Sequence, residues 1–309
     1  MKRLTRILVT LVLFPAGLSA VGGWFAGPMF LQPMKRALSA DLIREADESF
    51  KHTHSRREDF AVRAPDGALL RGWKVRAEKT NGSWVLLFHG VSDNRVGVVG
   101  QSEFLLQNGY NVVMMDARCH GDSGGDIATY GWLERTDTSA VVDALEASEK
   151  PQHIFALGES MGAGIVLQAA GVDPRIEAVV AEASFADLQE AAYDYAGLRE
   201  YPWLGKTLFS PGAWLMVYRS EKLAGFPAAE VSPVKAVAAR PFPVLIICDE
   251  EDHALPCRHS EMIFRAALGP KEFWRVPRAY HTAALGYEPS EFRKRVLGFF
   301  DRLRTPPQP

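Results

Sequence analysis

The segment Gly158-Glu159-Ser160-Met161-Gly162 constrains this chain more than any other. It is a G-x-S-x-G pentapeptide directly behind an apolar run, His153-Ile154-Phe155-Ala156-Leu157, and ahead of a helix-like stretch from Ala163 to Ala170. A strand must enter a sharp turn here and leave as a helix, which lifts the serine oxygen off the sheet edge on a strained backbone. Both flanking glycines are needed, because a side chain there collides with the neighbouring strand and helix. Alone, the pentapeptide is short and recurs by chance. Between a strand and a helix it marks Ser160 as a candidate nucleophile.

The rest of the chain supplies a setting for that turn. Phe60–Arg63 and Leu69–Val75 flank Pro65-Asp66-Gly67 and read as a β-hairpin. Trp84–Phe88 is a continuous apolar run, the mark of a strand buried on both faces. A helix around Gln101–Gln107 is stopped by Asn108-Gly109, then Val112–Met115 reads as a second buried strand. Thr138–Ser148 is a helix with Val141, Val142 and Leu145 on its apolar face. Strands at Ile154–Leu157, Ala178–Val180, Val244–Ile247 and Phe273–Val276 alternate with helices, the last over Glu291–Leu303. This alternation predicts an α/β fold with a mostly parallel sheet covered on both faces.

Between about 185 and 239 the alternation lapses. Tyr193, Tyr195, Tyr201, Trp203, Phe209, Trp214, Tyr218 and Phe226 lie among Gly and Pro, as in an inserted, mostly helical cap. Most of these aromatics are expected to pack the cap onto the domain, and some to line an apolar pocket over the serine.

Lys2, Arg3 and Arg6 precede an uncharged stretch from Ile7 to Leu31, long enough to cross a bilayer core of about 30 Å as a helix. Pro15, Gly17, Gly22, Gly23 and Pro28 weaken it as a regular helix. The segment reads as a membrane anchor or as a signal peptide ending at Ala20. Either exports the remainder, giving a membrane-anchored extracytoplasmic domain or a secreted or periplasmic one. The expected organisation is an anchor or signal over 1–35, a linker helix in 36–58 (Ala37 to Phe50), a catalytic domain over 59–304 and a polar tail at 305–309. A net charge of −2 offers no basic field for nucleic acid. Cys119, Cys248 and Cys257 are too few for a disulfide framework and lack a metal spacing. They read as buried small residues, with one disulfide if the compartment is oxidising.

A serine hydroxyl is a weak nucleophile and needs a base, which in turn needs an orienting acid. Of the eight histidines, His281 alone follows both an acidic loop and a strand, Phe273-Trp274-Arg275-Val276. His253 and His259 lie too close to that loop and read as surface residues. His52 and His54 form an H-x-H pair without further ligands, so no metal is expected. The acid follows Val244–Ile247, but chemistry alone does not choose among Asp249, Glu250, Glu251 and Asp252. Most of that run is expected to be solvated. The developing oxyanion needs two backbone N–H groups. Met161, directly after the serine, and Val91, in the turn after Trp84–Phe88, are the candidates. His89 is read as a brace of that turn.

These residues resemble an α/β-hydrolase from about Asp59 to Leu303. Leu87-Phe88-His89-Gly90 is similar to the oxyanion-loop strand. Asp116-Ala117-Arg118-Cys119-His120-Gly121-Asp122-Ser123 is similar to the D-x-R-G-x-G-x-S turn, with Cys119-His120 replacing the usual residues. Gly158–Gly162 matches the nucleophile elbow. Asp252 with Leu255-Pro256 and then His281 resembles the remainder of the triad, although the usual glycine of the acid motif is replaced near Asp249-Glu250. The nearest branch is the monoglyceride-lipase-like and serine-aminopeptidase-like group, in which a G-x-S-M-G elbow and a helical cap are common. Ser232-Pro233 is similar too.

The resemblance implies a serine hydrolase with Ser160, Asp252 and His281 as triad and Val91 and Met161 at the oxyanion. It needs no cofactor and acts on a small-molecule ester or acyl substrate. A peptidase of the aminopeptidase type is the alternative, with Glu159 or the Asp249–Glu251 run holding the substrate's amino group. A non-catalytic binder on the same fold, and acyl transfer to an alcohol, are the others. Oligomeric state is not legible.

Overall fold

The computed structural model describes residues 2–197 and 201–304; the polar tail 305–309 lies outside the described residues. The chain opens with helices α1 (Lys2–Leu31) and α2 (Ala40–His52), then the strands β1 (Arg56–Arg63) and β2 (Leu69–Arg76). Alternation follows through β3 (Ser83–Phe88), α3 (Val99–Gln107), β4 (Asn111–Met115), α4 (Trp132–Glu149), β5 (His153–Glu159), α5 (Met161–Val172) and β6 (Ile176–Glu182). The helices α6 (Leu188–Ala196), α7 (Pro202–Lys206), α8 (Ser210–Ala224) and α9 (Pro233–Ala239) intervene before β7 (Val244–Asp249). Then come α10 (Arg258–Ala266), β8 (Lys271–Val276), α11 (Ala284–Tyr287) and α12 (Pro289–Arg304).

The strands form one sheet in the order β1-β2-β4-β3-β5-β6-β7-β8. β1, β2 and β4 pair antiparallel, and β4, β3, β5, β6, β7 and β8 run parallel. Side chains alternate across each strand, so the apolar runs feed two cores at once. Leu86, Val113, Ala156, Val179 and Ile246 enter a core with α4 and α5. Val85, Leu87, Val112, Leu157, Val180 and Leu245 enter one with α3 and α12, where Phe155 stacks on Phe300 at 4.8 Å. A third, smaller core holds Phe185, Leu188, Ala213 and Val217 of the cap region together with Leu255 of the acid loop and Leu31 of α1.

Local chemistry sets the helix ends. Ser39 Oγ accepts the N–H of Leu42 at the start of α2, and Asp187 accepts that of Glu190 at the start of α6. Glu134 turns back to accept N–H bonds from Thr129 and Gly131, at 2.7 and 2.8 Å, so α4 begins six residues before the apolar periodicity becomes visible at Thr138.

Three expectations change. The prolines and glycines do not interrupt α1, which is one continuous helix with Pro15 and Pro28 inside it. Its glycines are used for close packing against α8, as argued below. His259 is not a surface residue: it is fully buried, accepts the Ala186 N–H at Nδ1 (3.1 Å) and donates from Nε2 to Asp194 of α6 (2.6 Å). Arg258 joins Asp194 and also Glu190, at 2.6 Å. These bonds fasten the cap to the start of α10. Nor is Asp249 solvated; it is buried, while Glu250 and Glu251 are exposed.

Candidate active site

The order of the strands brings the important loops to one edge. β3 and β5 are neighbours with Phe88 opposite Gly158, so the turns after them lie side by side. β7 and β8 are the next parallel pair beyond β6, and the loops at their carboxyl ends reach back over the same edge.

Ser160 sits at φ 52° and ψ −118°, a conformation an L-residue adopts only under constraint. Its N–H donates to Glu182 O at 2.9 Å, tying the turn to β6. A Cβ on Gly158 would overlap the backbone of Gly162, and one on Gly162 would overlap the carbonyl of Phe88. The two glycines therefore let α5 start close against β5 and β3.

His281 Nε2 lies 2.8 Å from Ser160 Oγ. Its Nδ1 lies 2.6 Å from Asp252 Oδ2. Asp252 is buried, and its other oxygen accepts the N–H groups of Ala254 (2.7 Å) and Leu255 (2.9 Å). With Nδ1–H donating to the carboxylate, Nε2 is left as the acceptor for the serine O–H. The three side chains thus form a serine–imidazole–carboxylate relay. Cys248 and Cys257 are joined as a disulfide that closes the loop carrying Asp252, and Cys119 is buried and unpaired.

Val91 and Met161 line the same pocket as Ser160. The turn bearing Val91 is held from below. His89 is buried, accepts the Ala117 N–H at Nε2 (3.2 Å) and donates from Nδ1 to Gly90 O (2.7 Å); burial lowers its pKa, so the ring stays neutral. Glu159, next to the serine, points away from the pocket. Its carboxyl accepts from Gln101 Nε2 at 3.0 Å and from the Gly90 N–H, and burial pushes its pKa up to about 8.

Asp249 and Glu182 form a second buried carboxyl pair, behind His281. Asp249 Oδ2 accepts the Thr282 N–H (2.8 Å) and Glu182 Oε1 accepts that of Ala284 (2.9 Å). Their remaining oxygens, Asp249 Oδ1 and Glu182 Oε2, are buried without another partner, and the two carboxyls interact. Burial, and then the charge of Asp252, push Asp249 up to about 7; burial and the charges of Asp249 and Glu159 raise Glu182 well above the usual carboxylate range. A proton held between the two carboxyls would satisfy both of these oxygens, while their other oxygens grip the His281 loop.

Ser160 opens into a cavity of about 290 Å³ walled by Phe30, Tyr130, Phe185, Leu188, Met216 and Leu255. Among the described residues lining it, none is acidic or basic. Phe30 belongs to α1. It stacks on Tyr130 with ring centroids 4.3 Å apart, and Tyr130 Oη donates to the Phe30 carbonyl at 2.7 Å. Sequence reasoning assigned no role to Phe30, Tyr130 or Glu182, and weighed Asp249 only as a candidate acid or as part of an anchor for a substrate amino group. A signal for Asp249 existed in its position at the end of the wholly apolar run Val244–Cys248; the others depend on tertiary partners. Among the described residues no cluster of His, Cys, Asp and Glu is arranged to hold a metal ion.

Comparison with known proteins agrees with the fold. The family described as serine aminopeptidase, S33, matches residues 80–221. The uncharacterized protein YqkD of Bacillus subtilis is 27% identical over 280 residues, covering 87% of this chain and 89% of its own length. A thermostable monoacylglycerol lipase of Bacillus sp. (strain H-257) is 28% identical over 229 residues, 70% of this chain and 89% of that one. Among solved structures, the Pyrococcus furiosus esterase Pf2001 superposes with a TM-score of 0.70 at 22% identity, covering 89% of this chain and 100% of its own.

Proposed function

The chain is a member of the α/β-hydrolase superfamily, a hydrolase of esterase- and lipase-like kind, and on that premise we propose that it is a membrane-tethered serine esterase cleaving carboxylic esters with an apolar acyl group. The observation that carries this reading is the 2.8 Å approach of His281 Nε2 to Ser160 Oγ at the floor of an uncharged pocket.

In the proposed reaction His281 Nε2 takes the Ser160 proton as Oγ attacks the acyl carbon. The Val91 and Met161 N–H groups receive the oxyanion. Collapse expels the alcohol, which takes the proton back from Nε2, and leaves an acyl ester on Ser160. Water, activated by the same nitrogen, then releases the acid. Asp252 holds the imidazole tautomer throughout.

Two observations weigh ester against amide substrates. A peptidase of the aminopeptidase type needs an anion for the substrate's ammonium, yet among the described residues the pocket wall carries none and Glu159 is bonded to Gln101. The wall is instead aromatic and aliphatic. The test is a panel of p-nitrophenyl esters against aminoacyl p-nitroanilides. Faster turnover of the esters, by orders of magnitude in kcat/KM, is expected; the reverse preference overturns the esterase reading.

Membrane tethering is supported by α1, a helix long and apolar enough to span a bilayer. Retention as an anchor is favoured over cleavage after Ala20 because Ser19 and Gly23 both pack against Gly212 of the cap. The disulfide beside the acid loop suits an oxidising, extracytoplasmic compartment. On this reading residues 1–35 are the anchor, 36–58 the linker carrying α2, and 59–304 the catalytic domain with its cap.

A further inference from the structure

α1 does not stand apart from the catalytic domain. It runs beside α8 in the same direction, and of its small residues Ser19, Gly23 and Gly27, spaced four apart, the first two meet Gly212 and the third meets Met216 and Arg219. Ser19 Oγ donates to Phe209 O (3.0 Å), Ser220 Oγ donates to Gly27 O (3.0 Å) and Arg219 donates to Trp24 O (2.6 Å). Gly23 and Gly212 approach so closely that neither leaves room for a Cβ. This is the small-residue packing by which helices associate where no hydrophobic drive is available.

The contact also fixes depth. Arg219 lies over the Trp24 ring at 4.4 Å, an amphipathic pair of the kind that sits at a headgroup layer. From Ile7 to Gly23 the helix rises about 26 Å at ~1.5 Å per residue, close to a hydrocarbon core of ~30 Å. Trp203 and Trp214 of the cap are exposed.

A cavity of about 620 Å³ lies in the seam. One wall is Pro15, Leu18, Ser19 and Gly22 of α1; the other is Ala196 of α6 and Phe209 of the cap, and among the described residues no charged one lines it. Its inner end is formed by Ala192, Tyr195 and Met216, which also wall the Ser160 cavity. An apolar groove walled by α1 thus shares three lining residues with the pocket of the serine.

We propose that this groove binds the hydrocarbon chain of a bilayer-resident ester lipid and leads it laterally to Ser160. The inference rests on the esterase reading and on α1 crossing the bilayer, and narrows the substrate to long-chain esters taken from the membrane itself. The shared residues Ala192, Tyr195 and Met216 are what tie the groove to the reacting pocket, and the membrane helix as its wall is what selects a lipid chain as occupant.

Gly22 gives a clean test, because it lines the groove and a side chain added there meets nothing within 4 Å. Gly17, on the same helix, is equally open but outside the groove. Full-length parent, Gly22→Trp and Gly17→Trp are reconstituted in phosphatidylcholine vesicles. Turnover of vesicle-borne 4-methylumbelliferyl oleate is divided by turnover of soluble p-nitrophenyl acetate, with fluorophosphonate labelling of Ser160 reporting folded protein. The ratio of kcat/KM values should fall at least about tenfold in G22W and stay within about twofold of parent in G17W. A ratio unchanged in G22W, or lowered equally in both variants, overturns the groove. So does a parent that cleaves the acetate but not the vesicle-borne ester, and that result leaves the esterase reading standing. A parent that cleaves neither ester and takes no label defeats the esterase reading itself. If G22W takes no label, Leu18→Trp on the same wall carries the comparison.

Discussion

Asp252 and His281 are joined through Oδ2 and Nδ1 at 2.6 Å, while Oδ1 of the same carboxylate accepts the N–H groups of Ala254 and Leu255. The two halves of the carboxylate therefore do different work: one shapes the loop, the other sets the tautomer. In Asp252→Asn the amide oxygen keeps the loop bonds and the NH₂ faces Nδ1. The imidazole must then carry its proton on Nε2, where it blocks the serine. A fall in kcat on the order of 10³–10⁴-fold, with little change in melting temperature, is expected. Kinetics alongside a thermal melt separate this from unfolding.

The shared proton between Glu182 and Asp249 predicts a pH dependence of stability. Both carboxyls have folded pKa values raised above their unfolded ones, Asp249 to about 7. Their contribution is complete below the unfolded carboxylate range near pH 4 and is lost as pH rises through 7. Glu159, raised to about 8, acts in the same direction. Glu182→Gln keeps an oxygen for the Ala284 N–H and places a permanent donor against Asp249. Melting temperatures between pH 5 and 9 should fall for the parent and fall less for E182Q. A parallel decline in both proteins rejects the shared-proton account.

The disulfide closes the loop between the end of β7 and the start of α10, within which Asp252 lies. A closed loop of this length contributes about 2–3 kcal/mol through the unfolded chain. Cys257→Ala should lower stability by about that amount and reduce kcat more than it alters KM, because the acid loop loosens. Denaturant unfolding and steady-state kinetics of oxidised parent and variant measure the two effects.

Much of the sheet was legible because β3, β4, β5, β6 and β7 carry apolar residues on both faces, so burial is written in each run. β1 starts at Arg56, earlier than expected, since Arg56-Arg57-Glu58-Asp59 pairs along an edge where water still reaches the side chains. α4 was shortened in the reading because Glu134 and Asp137 are buried by partners distant in sequence or in the preceding turn, Arg118 for Asp137 and Thr129 and Gly131 for Glu134. The same reason hid His259, whose burial depends on Asp194 some 65 residues away. α1 looked irregular because prolines and glycines are read against an isolated helix. Packed on α8, the small residues are the contact surface. The site residues were legible to the extent that each follows a strand, but nothing local foretold that Phe30 of the N-terminal helix would wall the pocket of Ser160.

The central claim is that Ser160 attacks substrate through His281. The most direct measurement is pre-steady-state hydrolysis of a p-nitrophenyl ester by the full-length protein and Ser160→Ala, paired with intact-mass detection of the acyl-enzyme. The account predicts a burst of p-nitrophenol equal to the enzyme present and an acyl adduct on Ser160 in the parent, with neither in S160A. Turnover in S160A equal to that of the parent, or an adduct on another residue, would contradict it.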